Sequence, residues 1–438
     1  MELRISLNKW ILRAFILSIL IRLFLASLNI FPLMDDIINP FLELELIQNL
    51  ELFSDYHFYY KEFAKEFVSG NWIPYLEDAK IHSIEYPLLY PPFFLYAISF
   101  PALIHPDLTF VLLLFADCLL PLMVYKFLRE FQTKKVAEWG LLATAYSPFL
   151  LIYTGALFLN TSLVNLFFIS TLYYVAKRKY NLATLLLGIS FLFKQIILFF
   201  IIPLVLYMTL DSTQSENGKK DSFKLALKYF GILFLVIFLG SLPWIIISPF
   251  NYIISLSVGE LPNFFPQFQS FKSWWVRPIK WYDFLILKDA PYWVIYIAGF
   301  LNFSLFGIYL VQILAMYLLY KWHHTEELDF KHFLNLLLII AFLSHLWMSR
   351  GVFKYYFTFF IPIVVLWLGY YQTVQISQRK SKRNRLLFLM IGISLFLILL
   401  NRYIYLLIVW LLFFVFSYKI IMKVRIDGIP EEFHQGGF

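Results

Sequence analysis

Apolar residues in this chain come in long unbroken runs, not in the alternation of a half-buried strand or the spaced stripe of a soluble amphipathic helix. Runs of roughly 17 to 25 residues recur from end to end, the length a helix needs to cross about 30 Å of hydrocarbon. Backbone groups in lipid must be satisfied internally, so the spans are predicted to be helices. Twelve are expected, at residues 10–31, 108–128, 137–153, 160–176, 181–194, 196–210, 228–249, 292–320, 331–348, 355–372, 385–400 and 402–422. A further apolar stretch, Tyr90 to Leu103, is short, opens on Pro91 and Pro92 and contains Pro101. Stretches of that length are more often interfacial or re-entrant than spanning, so it is expected to lie on, or dip into, the outer face.

Composition agrees with the pattern: 61% of the 438 residues are apolar and 15% are charged, against about half and a quarter in soluble domains. The 50 Phe, 29 Tyr and 12 Trp fit a lipid-facing surface, with many Tyr and Trp at span ends where an interfacial belt belongs. The one cysteine, Cys118, excludes an internal disulfide and reads as a small buried hydrophobe. Arg4, Lys9 and Arg13 lead into the first span like a signal-peptide start, but the span is long and no small-residue cleavage site follows, so a retained signal-anchor helix is expected. The whole chain, 1–438, is expected to form one transmembrane domain.

Charge orients the bundle. The segment from Pro32 to Asp107 holds twelve acidic residues and three Lys, a balance of −9, so the rest of the chain carries +17 within a net of +8. Basic clusters sit at residues 126–135, 177–179, 219–228, 379–385 and 419–425. The positive-inside rule puts these on the cytoplasmic side, and the twelve spans then place them all there. The acidic loop 32–107 and a second loop, 250–291, consequently face outward.

Within the acidic loop, Ser54 is a good N-cap, after which Tyr56, Tyr59, Tyr60, Phe63 and Phe67 recur at helical spacing while His57, Lys61 and Lys65 take the other face. An amphipathic helix is predicted, ending near Gly70 and Pro74. Asp55 falls in its first turn, where free amides and the macrodipole favour an ionised carboxylate. Such an acid is either a stabilising charge of its own helix or a reactive base. Lys194 lies at an expected outer turn between two short spans, where an ammonium either snorkels to the surface or binds an anion. Arg350 and Lys354 bound the outer end of the span beginning near Tyr355, and His345, one turn inside, faces the same end or is a packed histidine. In the second outer loop Lys272, Arg277 and Lys280 alternate with Trp274, Trp275 and Trp281, suited to a lipid headgroup, a sugar face or interfacial anchoring. Arg22 and Asp117 are charges at similar mid-membrane depth on the first two spans, and a buried ion pair is predicted between them.

The succession Ser54-Asp55-Tyr56, Tyr60, Gly70, Pro74-Tyr75 and Tyr90-Pro91-Pro92 resembles the first outer loop of GT-C glycosyltransferases. It looks closest to the polyprenol-phosphate-mannose-dependent mannosyltransferases of bacteria and archaea and to the enzyme that adds the first mannose to GPI anchors. The likeness extends more weakly over Phe158 to Pro203, including Phe193-Lys194-Gln195, and over Arg350 to Pro362. Where the GPI-type enzymes carry Asp-x-Asp, this chain has Phe53 and Asp55. The resemblance implies a GT-C-like all-α bundle of about twelve transmembrane helices with amphipathic helices in the first outer loop. It also implies transfer of a hexose, mannose first among candidates, from an isoprenoid-phosphate-sugar donor to a lipid-linked or protein-linked acceptor hydroxyl at the outer or lumenal face, with inversion. Asp55 is then the expected general base, Lys194 with Arg350 or Lys354 the phosphate clamp, and Tyr75, Tyr90 and His57 further substrate contacts.

Asp35 and Asp36, directly after the first span, are the rival acids. Adjacent carboxylates suit a divalent metal, but no second cluster has ligand spacing, and a metal-independent reaction without a cofactor is expected. His323 and His324 fall on the cytoplasmic side. There is no glycine-rich nucleotide motif, so a nucleotide-sugar donor is unsupported, and no nucleic-acid partner is expected. The competing class is a polytopic transporter or lipid flippase, marked by mid-membrane ionisable residues or an inverted repeat. The expected membrane is the plasma membrane, or the endoplasmic reticulum in a eukaryotic host.

Overall fold

The computed structural model describes residues 7–30, 55–70, 88, 90–215, 221–249, 252–253, 291–294, 297, 304–325, 328–347 and 353–426. Of these, 89% are helical and none is in a strand. The chain runs through α1 (Lys9–Ile30), a π-helical turn (Tyr56–Tyr60) continuous with α2 (Lys61–Val68), α3 (Pro92–Ala102), α4 (Val111–Phe131) and α5 (Lys134–Ala145). It continues through a second π-helical turn (Leu150–Ala156), α6 (Thr161–Ala176), α7 (Tyr180–Phe193), α8 (Leu198–Ser215) and α9 (Ser222–Ile247). The remainder is α10 (Ser304–His324), α11 (Phe330–Leu346), α12 (Phe357–Tyr371), α13 (Thr373–Gln378), α14 (Lys380–Leu399) and α15 (Arg402–Ile426). A helix overlaps each of the twelve intervals expected to cross the bilayer. Among the described residues, four apolar helices are long enough to do so alone, and five if the bent pair after α4 is one span.

The chain is an integral membrane protein, and its surface shows why. Phe24, Phe234, Phe388, Leu407 and Leu411 stand on the outside of their helices, each more than half exposed. Apolar surface of that extent is compatible with hydrocarbon and not with water. The interior is built from α6, α11 and α12, where buried Phe168, Leu172, Leu337, Phe359 and Val365 interlock with α4, α5 and α8. Small residues let helices approach: a Cβ on Gly240 of α9 would run into Leu192 of α7 and Phe93 of α3.

The span expected at 137–153 is not straight. It bends by 61° between α5 and the second π turn, where Ser147 and Pro148 interrupt the helix; proline has no N–H to continue the ladder and clashes with the preceding turn. This break surrounds the predicted ion pair. Arg22 Nε donates to Asp117 Oδ2 at 2.6 Å, and both side chains are buried. Arg22 Nη1 also donates to Ala145 O at 2.7 Å, and the Thr154 hydroxyl donates to Asp117 Oδ1 at 2.6 Å. Breaking the helix thus supplies a free carbonyl to the cation and a hydroxyl to the anion. Gly155 lies against both partners: a Cβ there would stand 3.2 Å from Arg22 Cγ and 3.5 Å from Asp117 Oδ2.

Of the two expected placements for α3, on the outer face or dipping into it, its burial favours one packed into the bundle end, although Phe100 stays exposed. Phe94, Leu95 and Ile98 are fully buried against α2, α4 and α7, because its short apolar cylinder packs inside the bundle end. Cys118 is only half buried. His345 is a packed histidine of α11, its Nε2 2.7 Å from the Tyr405 hydroxyl of α15.

Apart from the Arg22–Asp117 network, groups of polar contacts gather at two ends. At one, Lys177 pairs with Glu130 at 2.7 Å, Arg178 with Asp211 at 3.0 Å, and the Thr133 and Ser377 hydroxyls meet at 2.7 Å. These involve the basic connections of the sequence. Asp55, Tyr90, Asn160, Lys194 and the start of α12 gather at the other.

Candidate functional site

Every residue gathered at that second end sits at the start of a helix. Asp55 immediately precedes the first π turn, and Tyr90 stands two residues before α3. Pro91 is extended (φ −61°, ψ 163°) and Pro92 opens the helix, so the Pro-Pro pair fixes both the backbone before the helix and its first turn. Asn160 precedes α6, Lys194 precedes the short turn Gln195–Ile197 that runs into α8, and Tyr355 and Tyr356 lie in the turn Lys354–Tyr356 that opens α12. Amino ends of helices carry unsatisfied N–H groups and the positive end of the macrodipole, so their convergence favours anions.

Side chains tie these ends together. The Tyr90 hydroxyl donates to Asp55 Oδ2 at 3.3 Å. Asp55 makes no side-chain capping bond to its own helix, so its carboxylate is directed across to α3. Lys194, 6% exposed, donates from Nζ to Asn160 Oδ1 at 2.7 Å. The same ammonium lies over the rings of Tyr356, Tyr355 and Tyr90, at 4.9, 5.9 and 6.0 Å from their centroids; such faces attract a desolvated cation. Tyr90 therefore touches both the acid and the cation. Burial, the neighbouring Tyr90 and then the Asp55 charge push the Tyr60 phenol well above its ordinary pKa, so it stays neutral beside the carboxylate.

The support beneath these groups is aromatic. Tyr60 meets Phe94 edge to face at 4.7 Å and Tyr90 at 6.0 Å. Phe158 holds a left-handed backbone, φ 55°, strained for a bulky side chain. Its buried ring stacks on Phe110 at 4.8 Å and packs on Tyr56 at 5.2 Å, which fixes the chain just before Asn160. α2 is pinned from the other side by the Tyr56 hydroxyl donating to Asp107 O at 2.7 Å and by a Lys61–Asp107 ion pair. Lys61, above all through its hydrogen bond, holds the Asp107 carboxyl below its usual range. The helix ends at Gly70, φ 105°, a backbone that suits glycine.

Of the residues expected from the sequence, Asp55, Tyr90 and Lys194 come together. His57 is adjacent but exposed, with Nε2 2.8 Å from Asn29 O at the end of α1. Lys354, an alternative to Arg350 for the phosphate clamp, makes contacts with the main chain. It is fully buried and its Nζ donates to Ile398 O at 2.8 Å and to Leu400 O, so the ammonium caps the carbonyl end of α14. Arg350, Tyr75, Asp35, Asp36 and the basic aromatic run 272–281 lie outside the described residues. Asn160, Tyr355 and Tyr356 belong to the cluster although the sequence pattern does not single them out. The available signal for Asn160 is a polar side chain at the start of an apolar span on the same expected side as Lys194.

The cluster offers one carboxylate able to accept a proton, one buried cation and a ring of phenols at a focus of helix amino ends. No protein-family model matches the chain, and no curated protein and no solved structure does so either.

Proposed function

We propose that the protein is a polytopic membrane glycosyltransferase with about twelve spans and a GT-C-like arrangement, moving a hexose, mannose first among candidates, from an isoprenoid-phosphate-sugar donor to a lipid-linked or protein-linked acceptor hydroxyl. The observation that carries this reading is the chain of contacts from Asp55 through Tyr90 to Lys194, a base and a cation held at one bundle end by one phenol. The resemblance of the Asp55-to-Pro92 motif order to GT-C enzymes supplies the reaction class. The cluster lies opposite the basic connections, so by the positive-inside rule it faces outward, away from the cytoplasm of a plasma membrane or into the lumen of an endoplasmic reticulum.

In this reaction the acceptor oxygen attacks the anomeric carbon as the bond from that carbon to the phosphate oxygen breaks. The electron pair leaves on the phosphate, giving an isoprenyl monophosphate, and the acceptor proton passes to Asp55. Lys194 stabilises the charge that develops on the leaving phosphate, in a buried setting where a charge-assisted contact is strong. A phosphate needs no separate acid to depart, and single displacement inverts the sugar carbon. Mid-membrane charge, the feature that would favour a transporter, is represented by Arg22 and Asp117, which neutralise each other.

The test is direct. The purified protein is incubated with isoprenyl-phosphate-mannose, isoprenyl-phosphate-glucose and a membrane lipid extract, and the products are read by mass spectrometry. A hexose added to an extract component, with isoprenyl monophosphate released in equal amount, is expected. Absence of product from every donor would overturn the reading.

A further inference from the structure

Asn160 carries an unexplained polar group. It is 1% exposed, and its Oδ1 accepts from Lys194 Nζ at 2.7 Å. An ammonium can only donate, so the amide oxygen must face it, which fixes the orientation of the amide. Nδ2, with two N–H groups, therefore points away from Lys194, and it is buried without a hydrogen-bond partner among the described residues. A buried amide donor left unmade keeps the full cost of its desolvation, and unsatisfied groups in native structures call for a specific cause.

The surroundings specify what would satisfy it. Beside it lies the buried Lys194 cation, walled by Tyr356, Tyr355 and Tyr90. Asn160 itself is the residue before α6, whose Thr161 hydroxyl meets that of Thr358 in the first turn of α12 at 2.7 Å. The amino ends of α6 and α12 are thus in contact beside Lys194, which leads into α8. Donors, a cation and helix amino ends leave an anion as the complementary ligand.

We infer that Asn160 and Lys194 form a two-residue phosphate seat, in which the Asn160 Nδ2 amide donates to a non-bridging oxygen of the isoprenyl phosphate while Lys194 supplies the charge. This rests on the reading proposed above and adds to it a binding residue that neither the local sequence pattern nor the motif order indicates. Asn160 does no chemistry on the sugar. It shares the phosphate with Lys194 and, through its Oδ1, sets where the ammonium stands.

The experiment measures binding of farnesyl monophosphate, with farnesol as the uncharged control, to the full-length protein in lipid nanodiscs by calorimetry. Wild type binds the phosphate and not the alcohol. Asn160→Asp keeps size and the contact to Lys194 but turns a carboxylate toward the anion, so affinity falls by at least about 30-fold, while the melting temperature holds or rises through the new ion pair. Asn160→Ser, which loses the reaching donor without adding charge, weakens binding by about 10-fold, as expected for one hydrogen bond to a charged group. Wild-type affinity in both variants, with Lys194→Ala losing it, would overturn the role of Asn160 and leave the donor reading in place. Equal uptake of farnesol and farnesyl phosphate by wild type would overturn the donor reading itself. Should Asn160→Asp fail to fold, Asn160→Ser decides the matter.

Discussion

Arg22 of α1 and Asp117 of α4 form an ion pair of 2.6 Å with side chains 1% and 0% exposed, closed by the Ala145 carbonyl and the Thr154 hydroxyl. Neither charge is tolerable alone at that depth. Removing one partner strands the other, at about 3–5 kcal/mol, whereas replacing both with apolar residues of similar volume removes the desolvation cost along with the attraction. Asp117→Leu and Arg22→Leu should each lower the melting temperature strongly, and Arg22→Leu/Asp117→Leu should recover most of the loss. A double variant as unstable as the sum of the singles would show that the two charges act separately.

Lys354 is predicted to act on stability and not on the donor. Its ammonium takes the Ile398 and Leu400 carbonyls where α14 ends, groups that have no partner within their own helix. Lys354→Met, similar in volume but without donors, strands them, at a cost of about 1–3 kcal/mol. The melting temperature should drop while the apparent affinity for the sugar donor stays within about two-fold. A donor affinity weakened as much as in Lys194→Ala would return Lys354 to the binding site.

Much of this architecture is written in the apolar runs, because in lipid an uninterrupted run has one way to satisfy its backbone. The Arg22–Asp117 pair follows from the same reasoning: two charges at matched depth have few other partners. Asp55 and Lys194 are legible because each is a charge where a helix begins on one expected side, a local property, whereas Tyr90 enters only through the Tyr90-Pro91-Pro92 element of the resemblance. What local pattern does not reveal is which starts meet. Lys354 and Lys194 look alike in sequence, each at the outer end of an apolar run, yet one reaches the end of α14 and the other Asn160, a difference set by tertiary packing. Likewise the length of Tyr90 to Leu103 leaves open whether it lies on the face or dips in, and the neighbours that bury much of α3, namely α2, α4 and α7, are set by packing.

Orientation is testable through the chain's single cysteine. In a Cys118→Ser background, cysteines introduced at Glu77 and Asn263 should react with a membrane-impermeant maleimide from outside intact cells. Those at Lys179 and Ser381, in the basic connections, should react only after permeabilisation. Labelling at Lys179 from outside would invert the bundle and turn the Asp55 cluster toward the cytoplasm.

Asp55 carries the sharpest prediction. Its carboxylate caps no amide of its own helix and instead accepts from the Tyr90 hydroxyl at 3.3 Å. A stabilising first-turn acid would leave turnover little changed when neutralised, whereas a base would not. Asp55→Asn keeps the volume and an oxygen that can accept from Tyr90, so the melting temperature should hold within a few degrees. Turnover should fall by about 10²- to 10⁴-fold, the contribution general-base catalysis makes, with donor affinity nearly unchanged because the phosphate contacts proposed above are those of Lys194 and Asn160. Tyr90→Phe removes the donor that orients the carboxylate but leaves the base, so its loss should be smaller, about 10-fold. Asp35→Asn and Asp36→Asn should be milder still. Near-normal turnover in Asp55→Asn, with collapse in an Asp35 or Asp36 variant, would move the base to that acidic pair and leave Tyr90 with no catalytic carboxylate to orient.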